Sequence, residues 1–274
     1  MIKKLTLILL LLSSYCYSQE VNTDIREYKS FKEGTTYFIM SGDKKYNKIV
    51  NDILVKYWTV NKFEMIKQNQ LEKLKGEGSF FVDQVEYSFS RTAGTTGALN
   101  MAYGVTKLAM FKDFKKNTPK EVMSLVQLNK ISPLEMLFSI QQMQSQINFV
   151  FDLNTKKDLD IKDYLDEINE RNKKRIQSKT LYVTRNDLKD DIDHEEGLKK
   201  IYNYKFIFTT TENIEKAIED QNEDAVFIKV INYRNLKFVL FICAKNSELL
   251  YGRVMTGFNQ ERVGPKFFKD ISDD

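Results

Sequence analysis

Thr180-Leu181-Tyr182-Val183-Thr184 opens a passage that continues through Tyr202, Lys205-Phe206 and Ile214-Glu215-Lys216 to Phe227-Ile228-x-x-Ile231-x-Tyr233. The chain has already written it once. Thr36-Tyr37-Phe38-Ile39-Met40 answers the opening, Tyr57 answers Tyr202, and Lys62-Phe63 answers Lys205-Phe206. Leu71-Glu72-Lys73 answers Ile214-Glu215-Lys216, and Phe81-Val82-x-x-Val85-x-Tyr87 answers the close. Partners lie 143 to 146 residues apart, and Tyr251-Gly252 follows Tyr103-Gly104 at 148. A nearly constant offset over several landmarks is the trace of a duplicated unit.

Working outward, each copy predicts strand, helix, strand, helix, strand. Thr35 to Met40 is β-rich; Ile49, Val50, Ile53, Leu54 and Tyr57 form one helical stripe; Phe63 to Ile66 alternates. Asn69 can cap a short helix carrying Leu71 and Leu74, and Ser79 to Phe89 is a long strand. Further strands joined by hairpins follow, among them Lys237 to Ala244 and Leu249 to Thr256 around the turn Lys245-Asn246-Ser247-Glu248. The expected fold is α/β (or α+β): a tandem repeat of two similar sandwich modules, each with extra antiparallel strands, joined by a helical segment. The boundaries expected are 19–34 for a loose polar lead-in, 35–125 and 180–274 for the modules, and 126–179 for the helical brace. In the brace, Ser132-Pro133-Leu134-Glu135 is a capping box, after which Leu134, Leu137, Phe138, Ile140, Met143 and Ile147 make a wide apolar face. Asp160 opens a second helix with Ile161, Tyr164, Leu165 and Ile168 on one side.

The order of elements within one module is similar, in outline, to the small α/β modules of bacterial envelope proteins such as the amino-terminal domain of TolB. That likeness implies neither a site nor an activity.

Met1 to Ser18 reads as a secretory signal peptide: Lys3 and Lys4, then the apolar run Leu5 to Leu12, too short for a permanent span. Cys16 and Ser18 are small residues at the two positions a signal peptidase reads, so Gln19 would become the amino terminus. A lipoprotein anchor at Cys16 is disfavoured by Tyr15, where a small residue is expected. The protein is therefore expected to be exported to the periplasm or secreted, with no transmembrane segment in its mature form. Losing Lys3 and Lys4 lowers the formal net charge from +4 to +2, too little to suggest nucleic acid. Only Cys243 then remains, in the apolar run Phe238 to Cys243, and it reads as a buried structural thiol.

Motifs for chemistry are sparse. His194 is the only histidine, in the polar stretch Asp191-Ile192-Asp193-His194-Glu195-Glu196, with no nucleophile motif beside it. Asp191, Asp193 and Glu195 begin like a calcium loop, but Gly197 comes one place late and Tyr202 stands where a bidentate glutamate is needed. Carboxylates at a helix amino terminus explain them better. Gly94-Thr95-Thr96-Gly97 lacks the spacing and lysine of a phosphate loop, and is read as a hairpin connection that a partner could approach closely. Tyr103 and Lys107 have oxidoreductase spacing without a dinucleotide fingerprint. The aromatic residues, Trp58 included, fall on core positions. No catalytic residue, cofactor or metal is expected. The leading expectation is a non-enzymatic envelope binding or scaffold protein that engages a protein partner or itself. The alternatives are a polysaccharide hydrolase whose carboxylates converge only in three dimensions, and a small-ligand binder using a cleft between modules.

Overall fold

The computed structural model describes residues 20–74, 80–92, 98–110, 120–128, 133–233, 236–256 and 262–272. The signal segment, Ser132 and the loop Gly94-Thr95-Thr96-Gly97 lie outside the described residues. The fold is mixed α/β, with two sheets and six α-helices among the described residues.

The first sheet takes β1 (Glu20–Val21), β2 (Thr35–Ile39), β3 (Lys62–Ile66), β4 (Phe80–Thr92), β5 (Ala98–Met110) and β6 (Lys120–Leu128) in the order β1-β6-β5-β4-β2-β3. Helix α1 (Lys44–Tyr57) crosses from β2 to β3, with Asp43 accepting from the amides of Lys45 and Tyr46 as its N-cap. The second sheet takes β7 (Thr180–Val183), β8 (Phe206–Phe208), β9 (Ala225–Tyr233), β10 (Leu236–Cys243) and β11 (Leu249–Thr256) in the order β11-β10-β9-β7-β8. In the first sheet β2 runs parallel to both β3 and β4, and in the second β7 runs parallel to both β8 and β9. The hairpins β4–β5–β6 and β9–β10–β11 are antiparallel.

Between the sheets lies α2 (Pro133–Leu153). The sequence predicts a wide apolar face, but from Met136 to Met143 every residue of this helix is buried. Met136, Leu137, Phe138, Ile140, Met143, Ile147 and Val150 are enclosed, and so are Ser139, Gln141, Gln142 and Gln146. One side meets α1, where the Tyr46 hydroxyl lies 3.9 Å from Met136 Sδ. The other meets the second sheet, where the Phe138 and Phe227 rings are 6.2 Å apart. Lys229 on β9 reaches Glu135 at 3.2 Å and sits 3.7 Å above the Phe138 ring. Burial pushes the Lys229 ammonium below its ordinary value, with Glu135 pulling the other way. Past Leu153, Asn154 takes a left-handed φ of 47° and donates to the carbonyl of Val150, ending the helix.

Helix α3 (Ile161–Ser178) starts at Asp160, whose carboxylate caps the amides of Lys162 and Asp163. It docks along β11 by a specific contact. Gly252 donates to Asn169 Oδ1 at 2.8 Å, and Asn169 Nδ2 donates back to the Gly252 carbonyl at 3.0 Å. A Cβ at Gly252 would come within 2.6 Å of Leu165 Cδ2, so glycine is what lets the helix approach. Strand β10 is covered on both faces. Phe238, Leu240 and Ile242 join the core around α2, while Val239, Phe241 and Cys243 join one with Tyr202, Phe267 and Phe268. That double burial explains the unbroken apolar run. The phenylalanines come from α6 (Pro265–Ser272), which lies back on the sheet as their apolar character requires. Helix α5 (Thr211–Glu219) crosses from β8 to β9 and buries Ala217 and Ile218.

Two expectations change. The short helix after β3 is a 3₁₀ segment, Gln68–Leu74, fixed by Gln70, whose amide and side chain both bond the Lys67 backbone. The lead-in is not loose. Tyr28 and Phe31 are fully enclosed against Phe80, and Thr23 bonds to Lys157, Asp158 and Leu159. Charged neighbours mask these anchors in the sequence. Replacing Ile147, which has no exposed surface, by alanine should lower the free energy of unfolding by about 2–5 kcal/mol. The exposed Val55 changed the same way should alter it by less than about 0.5 kcal/mol, both read by chemical denaturation.

Candidate binding site

A crevice of about 180 Å³ opens where α2, α3 and the β10–β11 turn meet. Ser145, Asn148, Phe149 and Asp152 stand at i, i+3, i+4 and i+7 along α2, which puts them on one helix face, and Gln146 adjoins them. Tyr164 and Ile168, one turn apart on α3, form the opposite wall, and Asn246, Glu248 and Leu249 close the end.

The turn is pinned to α2. Ser145 donates to the Asn246 carbonyl at 3.0 Å, and the enclosed Ser247 hydroxyl, on a residue with φ 52°, donates to Gln141 Oε1 at 3.0 Å. From α3, Arg175 grips Glu248 with two nitrogens, at 2.5 and 2.8 Å. Burial raises the Glu248 pKa, but hydrogen bonding and charge from Arg175 outweigh it and hold the carboxyl below its ordinary range. Phe149 meets the edge of Tyr164 at 5.5 Å, and the Arg171 guanidinium lies 5.2 Å from its ring centre.

Two atoms of this lining stand out. Gln146 Oε1 and the Tyr164 hydroxyl are buried and have no hydrogen-bond partner, each on a residue 3% exposed. Burial raises the Tyr164 pKa far above its ordinary value, so the group stays a neutral O–H. Gln142 Nε2, one turn before Gln146, is likewise unpaired. Each such atom costs about 1–3 kcal/mol of desolvation that no partner offsets.

A larger concavity, about 690 Å³, runs between α3 and β11. Its size does not make it the better site. Its Asn169 is already committed to Gly252, and none of the buried unpaired side-chain atoms of the described residues belongs to its lining.

The residues singled out in the sequence do not meet here. Asp191, Asp193 and Glu195 lie in the loop and first turn leading into α4 (Glu195–Lys199), beyond the other face of the second sheet. Among the described residues, no group of three or more His, Cys, Asp or Glu is placed to hold a metal. Gly197 is explained by packing, since a Cβ there would come within 2.7 Å of the Asp191 carbonyl and 2.8 Å of the His194 ring. His194, half exposed, reaches Asp193 at 3.4 Å. Tyr103 and Lys107 are on strand β5, where residues four apart are about 13 Å from each other along the chain. Gln146 carries no motif. The only trace of it in the sequence is a run of glutamines, Gln141, Gln142, Gln144 and Gln146, inside an otherwise apolar helix.

Set against protein-family models, curated proteins and solved structures, the chain finds no match. The outline likeness to envelope α/β modules therefore carries no argument, and the crevice has to speak for itself.

The Arg175–Glu248 clamp makes a pH prediction. Because the folded pKa of Glu248 lies below 4.5, its ordinary value, the clamp's contribution to stability is present above that pH. It should disappear as pH falls below 4.5. Glu248→Gln should flatten that part of the stability–pH curve, measured by denaturant midpoints from neutrality downward.

Proposed function

We propose that the chain is an exported, non-enzymatic binding protein that holds a small polar ligand in the crevice between α2, α3 and the second sheet. The observation that carries this reading is the mixed polar and aromatic lining of the crevice, Ser145, Asn148, Phe149 and Asp152 on one face of α2 opposite Tyr164 and Ile168. The wider architecture is read as a tandem repeat, residues 35–125 and 180–274, braced by 126–179. The matching strand orders β6-β5-β4-β2-β3 and β11-β10-β9-β7-β8 support it, as does the residue spacing quoted at the outset. Export is supported by the basic and apolar segments at the start of the chain. Binding is preferred to hydrolysis because glycoside cleavage needs a protonated carboxyl beside an ionised one. Glu248, the partly exposed carboxyl at the end of the crevice, is held ionised by Arg175.

Tyr164→Phe and Gln146→Leu test the reading from two sides. In the ligand-free protein each should be neutral or stabilising by up to about 1 kcal/mol in denaturant unfolding, because an unsatisfied polar group is removed. Both should abolish ligand-induced thermal shifts seen with the parent chain. A loss of stability on the scale of an ordinary core defect would make the glutamine structural and sink the proposal.

A protein partner or a second copy is the other reading, favoured by one observation. Strand β8 ends the second sheet, and its Ile207 is 40% exposed. On this reading, sizing chromatography should show a concentration-dependent dimer that Ile207→Lys abolishes. A monomer at every concentration and an empty pull-down from envelope extract would remove it.

A further inference from the structure

The two sheets are roofed differently. In the second, β9 is covered from both sides. Phe227 and Ile231 belong to the core around α2, while Val226 and Ile228 join the one built with Tyr202, Phe267 and Phe268. In the first sheet, Phe80 and Val82 of β4 pack with α1 and α2, but Phe81 falls in a separate cluster with Tyr37, Ile39 and Leu71. Phe81 stands opposite Tyr37 of β2 as Val226 stands opposite Leu181 of β7. Among the described residues, no α-helix contributes to the Phe81 cluster, so the layer that α4 and α6 give the second sheet has no counterpart on the first.

The register carries this face along the hairpin. Residues opposite each other in an antiparallel pair share a face, and the face alternates along each strand. Past Phe81 it bears the charged pair Asp83–Lys107, then Val85–Val105, Tyr87–Tyr103 and Phe89–Met101. Strand β6 widens two of these rows with Val126 and Leu128. The other face, apolar at Val82, turns polar over the same length, with Gln84, Glu86, Ser88 and Ser90. Pairing with β2 ends at Val82 and pairing with β6 at Tyr103, so among the described residues the Phe89–Met101 row belongs to a two-stranded ribbon. Such a ribbon is marginal in water by itself.

We propose that a second copy of the chain covers this face, sheet on sheet, about a two-fold axis running across the strands at the Tyr87–Tyr103 row. The proposal goes beyond the ligand reading and does not rest on it. Charge selects the occupant. Asp83 and Arg91 share the face and flank Tyr87 at equal spacing (83, 87 and 91), so the axis sets each Arg91 over the Asp83 of the other copy. Between them apolar rows meet apolar rows, and no charge is stranded. Size sets the strength. From Val85 to Arg91 the face is ~20 Å long at ~3.4 Å per residue. It offers far fewer residues than the roughly 20–30 a side of a standard interface, so the pair is weak and reversible, with a micromolar Kd.

The test is sedimentation of the full mature chain across the micromolar range, where a reversible monomer–dimer equilibrium is expected. Phe89→Asp should leave only monomer. Arg91→Asp, which sets like charges across the axis, should weaken the pair at least tenfold. Ile207→Lys should leave it unchanged, which separates this pair from one made through β8. A cross-link keeps the proposal testable if Phe89→Asp disturbs the hairpin. Residue 87 lies on the axis and packed sheets are ~10 Å apart, so Tyr87→Cys should be captured as a covalent dimer by a short bis-maleimide. Ser88→Cys, on the opposite face, should not be, and the buried Cys243 should stay silent. A dimer lost with Ile207→Lys but kept with Phe89→Asp, or cross-linking through residue 88 in place of 87, would overturn the assignment. So would a chain that is monomeric at every concentration, including one that uses this face to bind phosphatidylcholine vesicles or another protein.

Discussion

The structure depends on covering the stretch of α2 from Met136 to Met143, where every residue is buried. Met136, Ile140, Met143, Ile147 and Val150 share one face of α2, and Leu137, Phe138, Gln141 and Gln142 are buried on the others. An amphipathic helix can rest on one sheet, but a stretch buried on every face has to be enclosed. Here α1 and the first sheet take one side, and α5, α3 and the second sheet take the other. The Lys229–Glu135 pair, above the Phe138 ring, fixes how β9 meets the helix. A lone buried charge would be far worse than the pair, so the contact defines position more than it adds stability.

Enclosure also gives the glutamines of α2 their significance. On a solvated face Gln141, Gln142 and Gln146 would bond water and mean nothing. Inside, each must find a partner or leave a penalty standing. Gln141 finds Ser247, and so joins the brace to the hairpin turn that closes the crevice. Gln146 Oε1 finds none, and neither does the buried hydroxyl of Tyr164. The same burial that makes α2 a structural axis leaves one of its side chains unpaired.

Much of the fold was legible because its periods are clean. The strands near Thr36, Phe63, Thr180 and Phe227 and the helix from Asp160 follow from alternation, from 3.6-residue stripes and from a capping aspartate. What escaped did so for physical reasons. Tyr28 and Phe31 stand among charged residues, so window averages hide two fully enclosed rings. Gln68–Leu74 is too short for its period to separate a 3₁₀ turn from an α-helix. The site was almost invisible. Tyr164 reads as one more apolar position on α3, and an unpaired Gln146 exists only once three segments distant in sequence have closed around it. The acidic run at Asp191, by contrast, was visible and needs only a helix amino terminus to explain it.

The reciprocal bonds between Asn169 and Gly252 have a consequence for assembly. A side-chain amide there imitates the neighbouring strand that β11 lacks, with one N–H and one C=O answered in register. At Gly252 the β11 flank of the second sheet is thus closed to a further strand, whereas β8 ends the other flank with no such amide among the described residues.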